Sequence, residues 1–213
     1  MPYVTQMLQL YEQSIDAIRD GDEPAGKLTI GVSESLMIYY LPRLIPAFSE
    51  KYPHVRLEVK SVDYADLITQ LKYGDYDVAL LVEMADWEPS EVTLSTVRVE
   101  ELKFVGALST TPLTEQTMFV AERTRSWQQR VRSSMRKVIE LPSIEAVKQC
   151  VLSGLGVSLL PSFVVQNELQ AGSLQELHEA HPRDQVGIFT VHHEKKWVSA
   201  SMNAFLKEVH ILN

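Results

Sequence analysis

Gly26-Lys27-Leu28-Thr29-Ile30-Gly31-Val32-Ser33-Glu34-Ser35 is the stretch that decides the architecture of this chain. It reads as a short strand, Leu28 to Val32, running into a tight polar turn that opens a helix. Leu41-Pro42 and Tyr52-Pro53 follow, and then a second strand from Val55 to Val59. The turn places Ser33, Glu34 and Ser35 at a helix start, where backbone N–H groups lack helical partners and the dipole is positive. A polar turn between a buried strand and a helix is where open α/β sheets hold small ligands.

The same alternation continues on both sides. Ser35 to Lys51 is amphipathic, with Leu41, Leu44, Ile45 and Phe48 on one face, and Pro42 suits a first helical turn. Asp63 can cap a helix from Tyr64 to Tyr73, which Gly74 would end. Val78 to Val82 is a continuous apolar run, as expected of a strand covered on both faces. Strand–helix–strand–helix–strand is the order of parallel βαβ units. Further strands are expected within Val97 to Leu108 and at Thr117–Ala121, Lys137–Leu141, Leu155–Leu160 and Val186–Val191. Helices are expected from Glu122 to Met135, after Ser143, from Ser162 to Gln170 and from Ser199 to His210. Upstream, Val4, Leu8, Tyr11, Ile15 and Ile18 alternate spacings of four and three, the seam of a coiled coil. Two heptads are marginal alone, so the seam serves either a dimerising helix or a helix packed on its own domain.

Composition narrows the function. The chain has 213 residues, 45% hydrophobic and 23% charged, an ordinary globular balance. A net charge of −8 is wrong for gripping a phosphate backbone. Cys150 is the single cysteine, so no intrachain disulfide forms, in keeping with a reducing cytoplasm. Glu12, Asp16 and Asp20 interrupt the first residues, which therefore do not read as a secretory signal, and no apolar run is long enough to span a membrane.

Four features together resemble the effector-binding domain of LysR-type bacterial transcriptional regulators. They are the opening stretch with Leu41-Pro42, Phe48 and Tyr52-Pro53; Leu71-Lys72-Tyr73-Gly74-Asp75-Tyr76-Asp77-Val78-Ala79-Leu80; Ser143-Ile144-Glu145-Ala146-Val147-Lys148 with Gly154-Leu155-Gly156-Val157-Ser158-Leu159-Leu160-Pro161; and the heptad helix. The resemblance implies an α/β fold like the type II periplasmic binding proteins, with two α/β subdomains joined by two crossover strands and an effector in the cleft. It implies a linker-helix end and hinge over 1–26, subdomain I over 27–106, subdomain II over 107–190, and a return strand and C-terminal helix of subdomain I over 191–213. It also implies a homodimer or tetramer, in the cytoplasm, that reaches DNA only through an N-terminal helix-turn-helix domain absent from these residues. The loop from Ser109 to Thr114 is shorter than the family's usual one.

By resemblance, Ser33, Glu34 and Ser35 fall at the family's first-helix ligand contacts; plain N-capping is the competing reading. Tyr64 stands where a small hydroxyl residue often meets the ligand, and would narrow the pocket or simply start a helix. Glu83 follows a buried strand, facing the cleft or a solvated turn. Ser143, with Ile144 beside it, heads the matching helix of the second subdomain. Arg123 and Arg125 would bring a guanidinium to an organic anion, or else line a charged helix surface. Cys150 reads as a satisfied buried thiol. No Gly-x-Ser-x-Gly elbow, His-Glu-x-x-His, Walker loop or Cys-x-x-Cys is present. His192-His193 are adjacent and do not share one side of a strand. The expectation is therefore a non-enzymatic sensor of a small metabolite, with no cofactor, no metal and no membrane partner. A transport receptor or a small enzyme on the same scaffold are the alternatives.

Overall fold

Leu28, Ile30 and Val32 are buried, and their strand, β1 (Gly26–Val32), is the centre of a parallel sheet. On one side it pairs with β2 (Val55–Ser61), from Gly26↔Val55 to Val32↔Ser61. On the other it pairs with β3 (Val78–Met84), from Ile30↔Val78 to Val32↔Leu80. These connections are βαβ crossovers: α1 (Glu34–Tyr39) and α2 (Leu41–Lys51) link β1 to β2, and α3 (Leu67–Tyr73) links β2 to β3. The computed structural model describes residues 11, 23–108, 112, 115–121, 135–177 and 185–211. Val4, Leu8, Ile15 and Ile18 of the heptad seam lie outside them, as do Arg123, Arg125 and nearly all of the helix expected from Glu122 to Met135; Tyr11 is exposed.

The chain divides into two units, the first drawn from 1–81, 88–98 and 189–213, the second from 82–87 and 99–188. β4 (Val92–Gly106) and β9 (Gln185–His193) each run from one into the other. The single fifteen-residue β4 replaces the one or two strands read between Val97 and Leu108.

In the first unit, α2 packs its Phe48 edge-on against Phe205 of α6 (Ala200–Ile211), ring centres 5.7 Å apart. Tyr40 donates its hydroxyl to the Val209 carbonyl at 2.7 Å; burial pushes this phenol up, against the opposing pull of Arg98 and Arg43. Lys51 pairs with the buried Glu208, and Ser201 Oγ donates to the Ala25 carbonyl at 2.6 Å. The Gly74-Asp75-Tyr76-Asp77 segment is an anchor for β1. Gly74 takes φ +76 to stop α3. The Tyr76 ring lies under Gly31, where a Cβ would approach it to 2.9 Å, and its hydroxyl donates to the Ser61 carbonyl. Asp77 Oδ2 accepts the Thr29 N–H at 2.8 Å, its own N–H donates to the Thr29 carbonyl, and its Oδ1 holds Lys196 at 2.7 Å. Gly31→Ala should therefore cost about 1–3 kcal/mol through displacement of that ring. Urea unfolding of the purified variant checks this.

The amphipathic stretch from Ser35 to Lys51 is two helices broken at Tyr40, the second opening at Leu41 with Pro42 in its first turn, as the sequence suggests: a proline has no N–H to give the preceding turn. One local expectation is corrected. The helix expected from Tyr64 starts at Leu67, because Asp63 Oδ1 accepts the Ala65 N–H in a turn and spends its cap there.

In the second unit, β5 (Thr117–Ala121) pairs in parallel with both β6 (Lys137–Leu141) and β7 (Gly156–Pro161), and β7 runs antiparallel to β4. β8 (Gln175–Glu176) adds two residues to β4. α4 (Ile144–Leu152) joins β6 to β7, and α5 (Ser162–Gln170) follows β7. The core holds Met118, Val120, Val147, Val151, Val157, Leu160 and Val165. Lys148 of α4, 7% exposed at its side chain, reaches Glu168 of α5 at 2.9 Å and Glu145 at 3.3 Å. Cys150 is partly exposed, not the buried thiol expected, because it lies at the flank of the buried Ile144, Val147 and Val151 face of α4 and not at its centre.

Candidate functional site

The carboxyl ends of parallel strands are where such sheets present ligand-binding groups, and each unit has one such edge. In the first unit, β1 ends at Val32. The Ser33 N–H donates to the Leu80 carbonyl at 3.0 Å and the Val62 N–H to the Val32 carbonyl at 3.1 Å. The β1–β2 pairing itself ends at Val32↔Ser61; beyond it β1 leads into α1 at Glu34 and the chain leaves β2.

Ser33 occupies the N-cap position of α1 with extended backbone (φ −66°, ψ 149°), yet its side chain makes no capping bond. It is 5% exposed, and its Oγ is buried without a hydrogen-bond partner. Leaving a buried hydroxyl unpaired costs about 1–3 kcal/mol, so the position is unfavourable unless something else supplies the bond. Ser35 is also buried, while Glu34 and Tyr64 are partly exposed. The plain capping reading of Ser33 is thus not what the structure shows.

Ser143 behaves in the opposite way. Its Oγ accepts the Ala146 N–H at 3.2 Å and caps α4, and Ile144 beside it is buried. Ser143→Ala should cost about 1 kcal/mol from the lost cap, read as a lower urea midpoint at unchanged slope.

In the second unit, Ala121 is level with Leu141, and Leu102 of β4 opposes Pro161. The ends of β5, β6 and β7 therefore share one edge, which also carries Ser143, Ser162 and the part of β4 before Leu102. There Ser162 Oγ donates to the Glu100 carboxylate. Sequence reading missed this pair: the partners are 62 residues apart, and nothing local in a strand marks a glutamate that will meet a helix start. Glu83 belongs to β3 and not to a solvated turn; its Oε1 accepts the Met84 N–H at 2.9 Å. The two adjacent histidines have separate contacts: His192 Nδ1 with the His193 carbonyl, and His193 Nδ1 accepting the Lys195 N–H. Among the described residues no group of three His, Cys, Asp or Glu side chains is placed to hold a metal ion, and no helix is long and apolar enough to cross a membrane.

Residues 21–211 match the family model described as LysR substrate binding domain. The HTH-type transcriptional regulator YwqM of Bacillus subtilis is 28% identical over 223 residues, covering 96% of this chain and 75% of the relative. The regulator YfiE of Escherichia coli is 27% identical, covering 97% and 75%. Among solved structures, the regulatory domain of CrgA, a LysR-type regulator from Neisseria meningitidis, superimposes with a TM-score of 0.72 at 20% identity, covering 89% of this chain and 99% of that one. The regulatory domain of HypT from Salmonella typhimurium gives 0.72 at 15% identity, covering 91% and 98%. The fold class is accordingly the type II periplasmic-binding-protein-like α/β fold.

Proposed function

Because the chain belongs to the LysR substrate-binding-domain family, as the effector-binding domain of a LysR-type transcriptional regulator, we propose that it senses a small metabolite through the strand-end residues Ser33, Glu34, Ser35, Tyr64, Glu83, Ser143 and Ile144. The domain does not transform the metabolite. Binding shifts the domain between arrangements with different affinity for the ligand, and this controls DNA binding by the full-length protein. Arg123 joins the set as the partner of an anionic group on the effector. The protein works as a homodimer or tetramer through the Val4–Ile18 seam, in the cytoplasm; sedimentation showing only monomer at high concentration would contradict the assembly.

One observation carries the ligand reading: the Ser33 hydroxyl is buried at a strand end with no partner of its own. A metabolite that completes this bond stabilises the native state in proportion to its occupancy. A thermal-shift screen of the purified chain against metabolites should find a ligand that raises Tm. Ser33→Ala should weaken that ligand about tenfold. A ligand that binds Ser33→Ala as tightly as the wild type would remove Ser33 from the site.

A further inference from the structure

Helix α6 is tied at its two ends to two separate parts of the first unit. At its last turn the Val209 carbonyl accepts the Tyr40 hydroxyl at 2.7 Å. At its first turn Ser201, 2% exposed, donates Oγ to the Ala25 carbonyl at 2.6 Å. The two ties are about 12 Å apart along the helix axis. Between them Phe205 packs on Phe48 and Glu208 pairs with Lys51, so α6 is also held to α2.

Each tie leads somewhere. Tyr40 is the junction of α1 and α2, and α1 starts directly after Ser33. The Met37 N–H donates to the Ser33 carbonyl at 2.9 Å and the Tyr40 N–H to the Leu36 carbonyl at 3.0 Å. One short helix therefore joins the Ser33 turn to the Tyr40 hydroxyl. At the other end the Ala25–Gly26 peptide is clasped from both sides. Ser201 holds its carbonyl, and its N–H donates to the His54 carbonyl at 3.1 Å. The heptad pattern from Val4 to Ile18 precedes that peptide in the sequence. A helix is a stiff element, so displacing one end of α6 displaces the other.

We propose that α6 is a lever that relays effector binding from the Ser33 turn to the entry of the linker, with Tyr40 and Ser201 as its two positioning residues. This rests on the effector-sensing function given above and supplies its route within the first unit.

The test is amide hydrogen exchange of the purified chain, read by NMR with no ligand added. Tyr40→Phe keeps the ring and removes only the hydroxyl. It should speed exchange of the Gly26 amide, at the far end of α6, about fivefold or more. Ser201→Ala should speed exchange of the Tyr40 amide by a similar factor, because coupling between two sites is reciprocal. The β3 amides from Val78 to Leu80, which lie off this route, should keep their wild-type rates. Effects confined to the end that carries the substitution would overturn the lever. Equal acceleration of Gly26, Tyr40 and β3 would also overturn it, since that is general loosening of the unit. Because no ligand enters the measurement, either failure leaves metabolite sensing to be decided by the thermal-shift screen alone.

Discussion

Gly156→Ala is expected to abolish folding of the second unit. A Cβ built on Gly156 falls 1.9 Å from the Thr117 carbonyl oxygen and 3.0 Å from the Phe119 ring. The obstacle is backbone, in the very pair Thr117↔Gly156 that starts the β5–β7 ladder. No rotamer relieves it, so the ladder must part and the buried Met118–Val157 layer must open. We expect at least about 4 kcal/mol of destabilisation, beyond ordinary overpacking, because a strand has to move. Gly154, two residues earlier, supplies the control. It sits at φ +74, and a methyl group added there would have nothing within 4 Å. Gly154→Ala should therefore cost only about 1 kcal/mol, from left-handed backbone alone. Soluble yield and urea unfolding of the two variants should differ sharply. Equal stabilities would mean that β7 can shift away from Thr117 at little cost.

The glycine pair also shows what a sequence can and cannot disclose. Gly154-Leu155-Gly156 is legible as a helix stop followed by a strand, and both elements are present. The reason the second glycine is obligatory is a contact with a residue 39 positions away, and no local pattern carries that. The parallel βαβ order was legible because Leu28–Val32 and Val78–Val82 are largely apolar runs, and both are buried. The break at Tyr40 was legible only through Pro42, which suits a first helical turn, since amphipathic periodicity continues across it. Ser33 and Ser143 look alike in sequence, each heading a helix after a strand. Only the folded structure separates them: one hydroxyl satisfies its own helix and the other is buried without a bond. That difference lies in side-chain rotamer and burial, which spacing does not encode.

Asp77→Ala is expected to loosen the edge that presents Ser33. The Asp77 carboxylate replaces a strand residue opposite Thr29, taking its N–H at 2.8 Å just where β1–β3 pairing begins at Ile30↔Val78. Its second oxygen holds Lys196, whose side chain is 9% exposed, while that of Asp77 is 25% exposed. Removing the carboxylate leaves a buried ammonium without its counter-ion and a buried N–H without its acceptor. The partial exposure of Asp77 tempers the first cost, and we expect about 3 kcal/mol in all. Asp77→Asn keeps an acceptor for Thr29 and loses only the charge, so it should fall between wild type and alanine. Lys196→Met removes the ammonium and should recover part of the Asp77→Ala loss in the double variant, a coupling that a cycle of urea midpoints measures directly. If the effects of Asp77→Ala and Lys196→Met simply add, the ion pair contributes nothing and Thr29 alone accounts for the role of Asp77. Because Thr29 lies four residues before Ser33 on the same strand, the Asp77 variants should also weaken whatever ligand the Ser33 corner binds, while Ser143→Ala, on the other unit, should leave the Asp77–Lys196 coupling unchanged.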